Sequence, residues 1–183
     1  MAKQNVFDDF AACAERLIAL GYTRPSRLAI EGGSNGGLLM GAMLTQHPDR
    51  FRAVVGHVGI YDMLRVELSP NGEFNVTEFG TVADRGQFQY LYAYSPYHHV
   101  KDGVAYPDVL FLTGANDPRV DPMQSRKMTA RLQAASSGKP VLLRTSNASG
   151  HGIGSSLDEK VGESVDVYAF LFDRLGVDYR PAK

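Results

Sequence analysis

Residues 27–46 read Arg-Leu-Ala-Ile-Glu-Gly-Gly-Ser-Asn-Gly-Gly-Leu-Leu-Met-Gly-Ala-Met-Leu-Thr-Gln, and the fold follows from how this stretch divides. Residues 27–31 form a short apolar strand candidate, cut off by the pair Gly32-Gly33. From residue 35 to 46, Leu38, Leu39, Met40, Ala42, Met43 and Leu44 predict a mostly buried helix that closes near His47-Pro48. Between strand and helix lies Gly32-Gly33-Ser34-Asn35-Gly36, a G-x-S-x-G sequence in the strand–turn–helix setting that the motif requires. A turn this tight forces the serine into a strained backbone conformation, and side chains in place of the glycines would collide with adjoining elements. In return, the serine oxygen projects from the sheet edge. The Asn35 N–H, at the start of the helix, is then placed to donate to a developing oxyanion. The competing reading is a glycine-rich loop that binds phosphate or nothing, but the stretch has no Lys-Ser/Thr ending and no G-x-G-x-x-G pattern.

Outward from this turn, strand-like and helix-like segments alternate. Residues 8–20 place Phe10, Ala14, Leu17, Ile18 and Leu20 near helical spacing, and Gly21 follows as a stop. Residues 51–58 (FRAVVGHV) and 108–114 (DVLFLTG) are short and rich in branched apolar side chains, as strands buried on both faces are. Residues 140–145 repeat the signature more faintly, and helical patterns cover residues 123–135 and 158–175. Strands alternating with helices predict an α/β fold with a mostly parallel sheet and helices on both faces. Residues 61–106 break the rhythm with aromatics and with Pro70, Gly72, Gly80, Gly86 and Pro96. They are expected to form an insertion over one end of the sheet, where a binding site is commonly shaped.

A serine hydroxyl is a weak nucleophile until a base takes its proton, so a histidine is needed. His47 precedes a proline at a helix end and reads as a surface residue, and His57 sits inside a valine strand as a hydrogen-bonded core histidine. His98 and His99 lie in the insertion with nothing to single them out. His151 differs, because Ser149-Gly150-His151-Gly152-Ile153-Gly154 is a glycine-rich loop after the last strand, which lets the ring approach another loop. The third group must be a carboxylate that orients the imidazole. Asp117 follows the strand 108–114, at the carboxyl edge where catalytic groups gather in open α/β sheets. Asp121 and Asp62 are its rivals, and each of the three is also ordinary turn chemistry. The order Ser34, Asp117, His151 is the chain order of an α/β-hydrolase triad.

With these residues in view, the chain resembles the C-terminal part of the hydrolase domain of the prolyl oligopeptidase family of serine peptidases. The resemblance runs through KQNVFDDF (3–10), GGSNGG (32–37), YDML (61–64), YSPYHHV (94–100), LTGANDPRV (112–120) and GHG (150–152). It implies Ser34 as nucleophile, Asp117 as acid and His151 as base. Asn35 would supply one backbone N–H of the oxyanion hole, and Arg119 would hold a carbonyl of the bound peptide. Ile60, Phe79 and Val120 fall at positions similar to those lining the pocket for the residue before the scissile bond. Asn75, within GEFNVTEFG (72–80), stands where the family has a proline-stacking tryptophan, and the chain has no tryptophan at all. The resemblance therefore implies a pocket open to another small or apolar residue. It also implies that the chain, residues 1–183, is a partial hydrolase domain lacking its N-terminal strands, a second oxyanion donor and a propeller domain.

Composition excludes several other classes. With 19 basic and 20 acidic side chains, the formal charge of −1 gives no electrostatic reason to expect nucleic acid or an acidic membrane surface as partner. No apolar run approaches the length that spans a bilayer, and residues 1–10 hold no secretory apolar stretch. The single cysteine, Cys13, leaves no internal disulfide, offers no cysteine-based zinc site, and points towards a reducing, cytoplasmic compartment. The expected function is a serine peptidase acting on peptide through an acyl-enzyme, with no metal or organic cofactor. The alternatives are a non-catalytic fragment or interaction partner, and an esterase acting on small acyl substrates. A sheet lacking strands has an open edge, so self-association or association with the missing N-terminal part is expected.

Overall fold

The computed structural model describes residues 2–135, 138–152 and 155–180. Four strands, β1 (Ala29–Gly33), β2 (Ala53–His57), β3 (Asp108–Gly114) and β4 (Val141–Ser146), form one sheet in that spatial order. Every neighbouring pair is parallel, with Ala29 opposite Ala53, Ala53 opposite Asp108 and Val109 opposite Val141. β3 is buried along its whole length, as its unbroken apolar run requires of an inner strand.

Among the described residues, seven helices accompany the sheet: α1 (Lys3–Ala19), α2 (Asn35–Gln46), α3 (Gly72–Phe79), α4 (Arg85–Tyr94), α5 (Pro96–His99), α6 (Met123–Ala135) and α7 (Leu157–Leu175). Each strand pairs with the next in sequence, so the crossovers step across the sheet in one direction, and right-handed connections put their helices on a single face. On that face Phe7 and Ala14 of α1, Leu38 and Met43 of α2, and Met128 and Leu132 of α6 pack over Ile30, Val54, Val109 and Val141. The opposite face is covered by α7, whose Val167 and Phe170 rest on Ala53, Val55, Leu110 and Leu112. The expected parallel sheet with helices on both faces is therefore what the chain forms.

Boundaries differ where tertiary packing outweighs the local pattern. α1 starts at Lys3, because Phe7 is fully buried and stacks edge-on against Tyr94 of α4, with ring centroids 5.7 Å apart. Its buried stripe is Phe7, Ala11 and Ala14, while Leu17 and Leu20, expected on the inner face, are exposed. β1 begins two residues later than expected, since Pro25–Arg27 close a 3₁₀ turn, and it runs on through Gly33. Residues 61–106 carry α3, α4 and α5. Asp84 caps α4 by accepting the Gln87 N–H at 2.8 Å, and Pro96 opens α5.

Candidate active site

The carboxyl ends of β1, β3 and β4 deliver three loops to one edge of the sheet. The turn after β1 is held at two points: the Ser34 N–H donates to the His57 carbonyl at 2.9 Å, and the Ser34 carbonyl accepts from Leu38 at 3.1 Å. Ser34 has φ 57° and ψ −117°, a left-handed conformation that costs a residue with a side chain on the order of 1–3 kcal/mol. Two of the glycines have the steric role expected of them. A Cβ at Gly32 would sit 2.7 Å from the Gly36 carbonyl oxygen, and one at Gly37 would overlap the Gly59 backbone. Gly33 and Gly36 do not share that role: a Cβ at Gly33 would make ordinary contact with His57, and one at Gly36 would meet nothing within 4 Å.

The loops after β3 and β4 are sewn together by backbone. Ala115 N–H donates to the Ser146 carbonyl at 2.8 Å and the Asn116 side chain donates to the Asn147 carbonyl at 2.8 Å. This brings His151 Nδ1 to 2.7 Å from Asp117 Oδ2 and His151 Nε2 to 2.9 Å from Ser34 Oγ. A carboxylate only accepts, so Nδ1 carries the proton and Nε2 is left to accept from the serine hydroxyl. The other carboxylate oxygen, Oδ1, accepts the N–H groups of Arg119 at 2.8 Å and Val120 at 3.0 Å. The Asp117 side chain is wholly buried and that of His151 is 10% exposed. Ile153 and Gly154, the rest of the glycine-rich loop, lie outside the described residues.

The other candidates are engaged elsewhere. The Asp62 carboxylate is fully buried and takes Lys127 Nζ at 2.5 Å, the Leu64 N–H at 3.0 Å and Arg65 at 3.3 Å. Burial alone would raise its pKa, but the hydrogen bond and charge of Lys127, with His98 and the Leu64 N–H, carry it below the usual carboxylate range. Asp121 accepts the Met123 N–H at 2.8 Å and so opens α6. His98 Nδ1 lies 2.9 Å from Ser95 Oγ, and burial lowers its pKa in spite of the charge of Asp62. His99 Nδ1 donates to the Ser95 carbonyl at 3.0 Å. His57 is not a core residue: its side chain is 28% exposed, with Nε2 at 2.8 Å from Glu31 Oε1 on the α7 face of the sheet. His47 is half-buried at the end of α2.

A cavity of about 530 Å³ opens beside Ser34 and His151. Asn35, Ile60, Asn75, Phe79, Arg119 and Val120 all line it, so every expected pocket residue meets at one place. Pro118, Asn71, Phe74 and Glu78 also line it. The last three share α3 or its N-terminal cap with Asn75 and Phe79, and it is the folding of residues 71–79 into one helix and its cap that brings them to the same wall. Asn35 is the first residue of α2, where backbone N–H groups have no intrahelical partner. A larger cavity, about 900 Å³, runs along α7 but contains no member of the serine–histidine–aspartate chain. Among the described residues no group of three or more His, Cys, Asp or Glu side chains is arranged to hold a metal ion. None of their helices is long and apolar enough to cross a membrane.

A family model described as the prolyl oligopeptidase family matches residues 1–178. A prolyl endopeptidase from Dictyostelium discoideum is 43% identical over 179 residues, covering 96% of this chain and 24% of its own length. Among solved structures, a prolyl endopeptidase superposes with a TM-score of 0.93 at 47% identity, over 96% of this chain and 26% of the other. Oligopeptidase B from Leishmania major superposes with a TM-score of 0.92 at 32% identity, over 97% of this chain and 25% of the other. The chain thus spans about a quarter of the length of the relatives it matches.

Proposed function

The chain belongs to the prolyl oligopeptidase family, and on that premise we propose that it carries the nucleophilic centre of a serine peptidase. The observation that carries this reading is the unbroken line from Ser34 Oγ to His151 Nε2 at 2.9 Å and from His151 Nδ1 to Asp117 Oδ2 at 2.7 Å.

In this mechanism His151 Nε2 takes the hydroxyl proton as Ser34 Oγ attacks the carbonyl carbon of the scissile bond. The buried Asp117 carboxylate holds the ring in the required tautomer and balances the imidazolium. The Asn35 N–H donates to the tetrahedral oxyanion, a contribution on the order of 2.7–4 kcal/mol for one such donor. His151 then returns the proton to the leaving amine, and a water activated by the same nitrogen releases the acyl group. Arg119, exposed and beside the nucleophile, holds a carbonyl of the bound peptide. Ile60, Phe79 and Val120 offer an apolar wall to the side chain before the scissile bond. Asn75 replaces the stacking tryptophan of the family, so the pocket accepts small or apolar residues without a strong preference for proline.

Labelling with a fluorophosphonate tests the centre. We expect Ser34 to be modified in the folded chain, and Ser34→Ala and His151→Ala to remove the signal. An unlabelled wild type would show that this chain is non-catalytic by itself. Turnover of peptide amides against simple esters then tests the substrate class, because ester-only activity would defeat the peptidase assignment.

A further inference from the structure

Lys3, Asn35 and Glu78 belong to α1, α2 and α3, yet their side chains close a triangle at the rim of the cavity. Lys3 Nζ donates to Asn35 Oδ1 at 2.8 Å, and Asn35 Nδ2 donates to Glu78 Oε1 at 2.5 Å. The Lys3 ammonium reaches the same carboxylate oxygen at 3.3 Å and lies 5.0 Å from the centre of the Phe79 ring. Both ends of the Asn35 amide are thereby committed, one to a cation and one to an anion.

This arrangement matters because α2 lacks an ordinary cap. Its N-cap residue is Ser34, the residue type best suited to accept from the first turn, but Ser34 makes no side-chain capping bond. Its hydroxyl faces His151 instead. The first turn of α2 begins on a strained residue with its capping group diverted, so its orientation must be set by something else. Asn35 is the first helical residue, and the triangle holds it from two sides. An exposed ion pair contributes little to stability, so the effect of Lys3 and Glu78 lies in geometry.

We propose that Glu78 and Lys3 are positioning residues that fix the first turn of α2 through the Asn35 side chain. They thereby aim the Asn35 N–H at the oxyanion and couple it to α3, the helix that carries Asn75 and Phe79 of the pocket. This assignment rests on the reading of Ser34 as nucleophile and of the Asn35 N–H as oxyanion donor. A donor shifted by a fraction of an ångström loses much of its effect on the transition state while leaving the bound ground state almost unchanged.

The test compares the full chain with Glu78→Ala, Glu78→Gln, Lys3→Met and, as a control on the same helix, Glu73→Gln. Two measurements are made on each. The first is fluorophosphonate modification of Ser34, separated into a reversible binding constant and a maximal rate. The second is hydrogen exchange of peptides covering residues 36–44 and 72–79. In Glu78→Ala we expect the maximal rate to fall about tenfold, with binding little changed, and the first turn of α2 to lose protection. Glu78→Gln keeps an oxygen that accepts from Asn35 Nδ2 and should recover most of the rate. Lys3→Met should move both readouts in the direction of Glu78→Ala, and Glu73→Gln should match wild type. An unchanged rate with unchanged exchange in Glu78→Ala and Lys3→Met would overturn the proposal. So would an effect confined to the binding constant, which would make Glu78 a ligand contact, or equal loss in the alanine and glutamine variants. If wild type takes no label, the peptidase reading fails and hydrogen exchange decides alone: lost protection supports the lock on α2, and unchanged protection overturns it.

Discussion

Gly114 and Ser149 meet backbone against backbone: a side-chain carbon at 114 would overlap the Ser149 carbonyl and lie 2.6 Å from the carbonyl oxygen of Gly150. Gly114 ends β3, three residues before Asp117, and Ser149 lies two residues before His151. The loops bearing the carboxylate and the imidazole can therefore approach only because this strand ends in a residue without a side chain. The clash is with main chain, which cannot swing aside as a flexible side chain would. Gly114→Ala should destabilise the fold by about 2 kcal/mol, or roughly 4–8 °C in Tm. It should also widen the gap between His151 and Ser34, so labelling of Ser34 slows even at temperatures where the variant is folded. Differential scanning calorimetry and labelling rate check the two effects separately.

The left-handed Ser34 makes the opposite kind of prediction. Its φ of 57° is unfavourable for serine and freely accessible to glycine. Ser34→Gly removes the strain, at the loss of one hydrogen bond to His151, and should raise stability by about 1 kcal/mol. The same change should abolish the covalent labelling expected of Ser34. A thermal melt in which Ser34→Gly is less stable than wild type would show that the turn is not strained in the folded chain.

The strands and helices legible in the sequence are those whose ends carry strong local signals. β3, α2 and α6 have the limits expected of them, because Gly114, the pair Gly32-Gly33, Pro48 and Pro122 punctuate their surroundings. The start of α1 was hidden by polar Lys3, Gln4 and Asn5, and its helical state depends on Phe7 finding Tyr94, almost ninety positions away. α3 to α5 were hidden by aromatic side chains that face solvent, such as Phe74 and Tyr90, and so blur the helical period. The Asp84…Gln87 cap was the readable clue. At the site, the motif and chain order pointed to Ser34, Asp117 and His151, yet Asp62, Asp117 and Asp121 look alike as residues on turns. What separates them is three-dimensional: Asp117 reaches His151, Asp62 is held by Lys127, and Asp121 caps α6. The glycines of the serine turn could not be ranked from sequence either, since only the packed neighbours show that Gly32 and Gly37 are constrained while Gly36 is not.

Two groups in the segment between β2 and β3 make the chain acid-sensitive. His98 has a pKa lowered by burial, so on acidification the unfolded chain takes up a proton before the folded one does. Its contribution is complete above its unfolded value of about 6.5 and drains away as pH falls below it. Although burial opposes it, the Asp62 pKa is lowered by Lys127 in particular, so its contribution is present above the unfolded carboxylate value and is lost as pH falls towards the folded one. Stability measured from pH 8 to pH 3 should therefore fall in two steps, the upper removed in His98→Gln and the lower reduced in Asp62→Asn, with Glu159, whose pKa is lowered by its hydrogen bond from Arg144, sharing in the lower one. Lys127→Met leaves the fully buried Asp62 carboxylate without its main partner and should cost about 3 kcal/mol at neutral pH. A flat profile between pH 7 and pH 5 would exclude the His98 contribution.

Asn75 offers a direct test of the pocket proposed for the residue before the scissile bond. It lies on α3 and lines the cavity with Phe79, while its amide reaches back to the Asn71 carbonyl at 3.4 Å, a long contact that leaves the side chain easy to replace. An indole at this position would present a flat apolar face to the residue before the scissile bond, the kind of surface on which a pyrrolidine ring packs well. Asn75→Trp should thus raise the preference for proline over alanine at that residue by about tenfold, equivalent to about 1.4 kcal/mol of differential transition-state binding. The readout is the ratio of kcat/KM for two peptide substrates that differ only there. Because the tryptophan is added at the cavity wall, labelling of Ser34 by a small fluorophosphonate should change far less than this ratio. If the labelling rate drops as much as turnover of the alanine substrate, the indole obstructs the nucleophile, and Asn75 is not the residue that sets the preference.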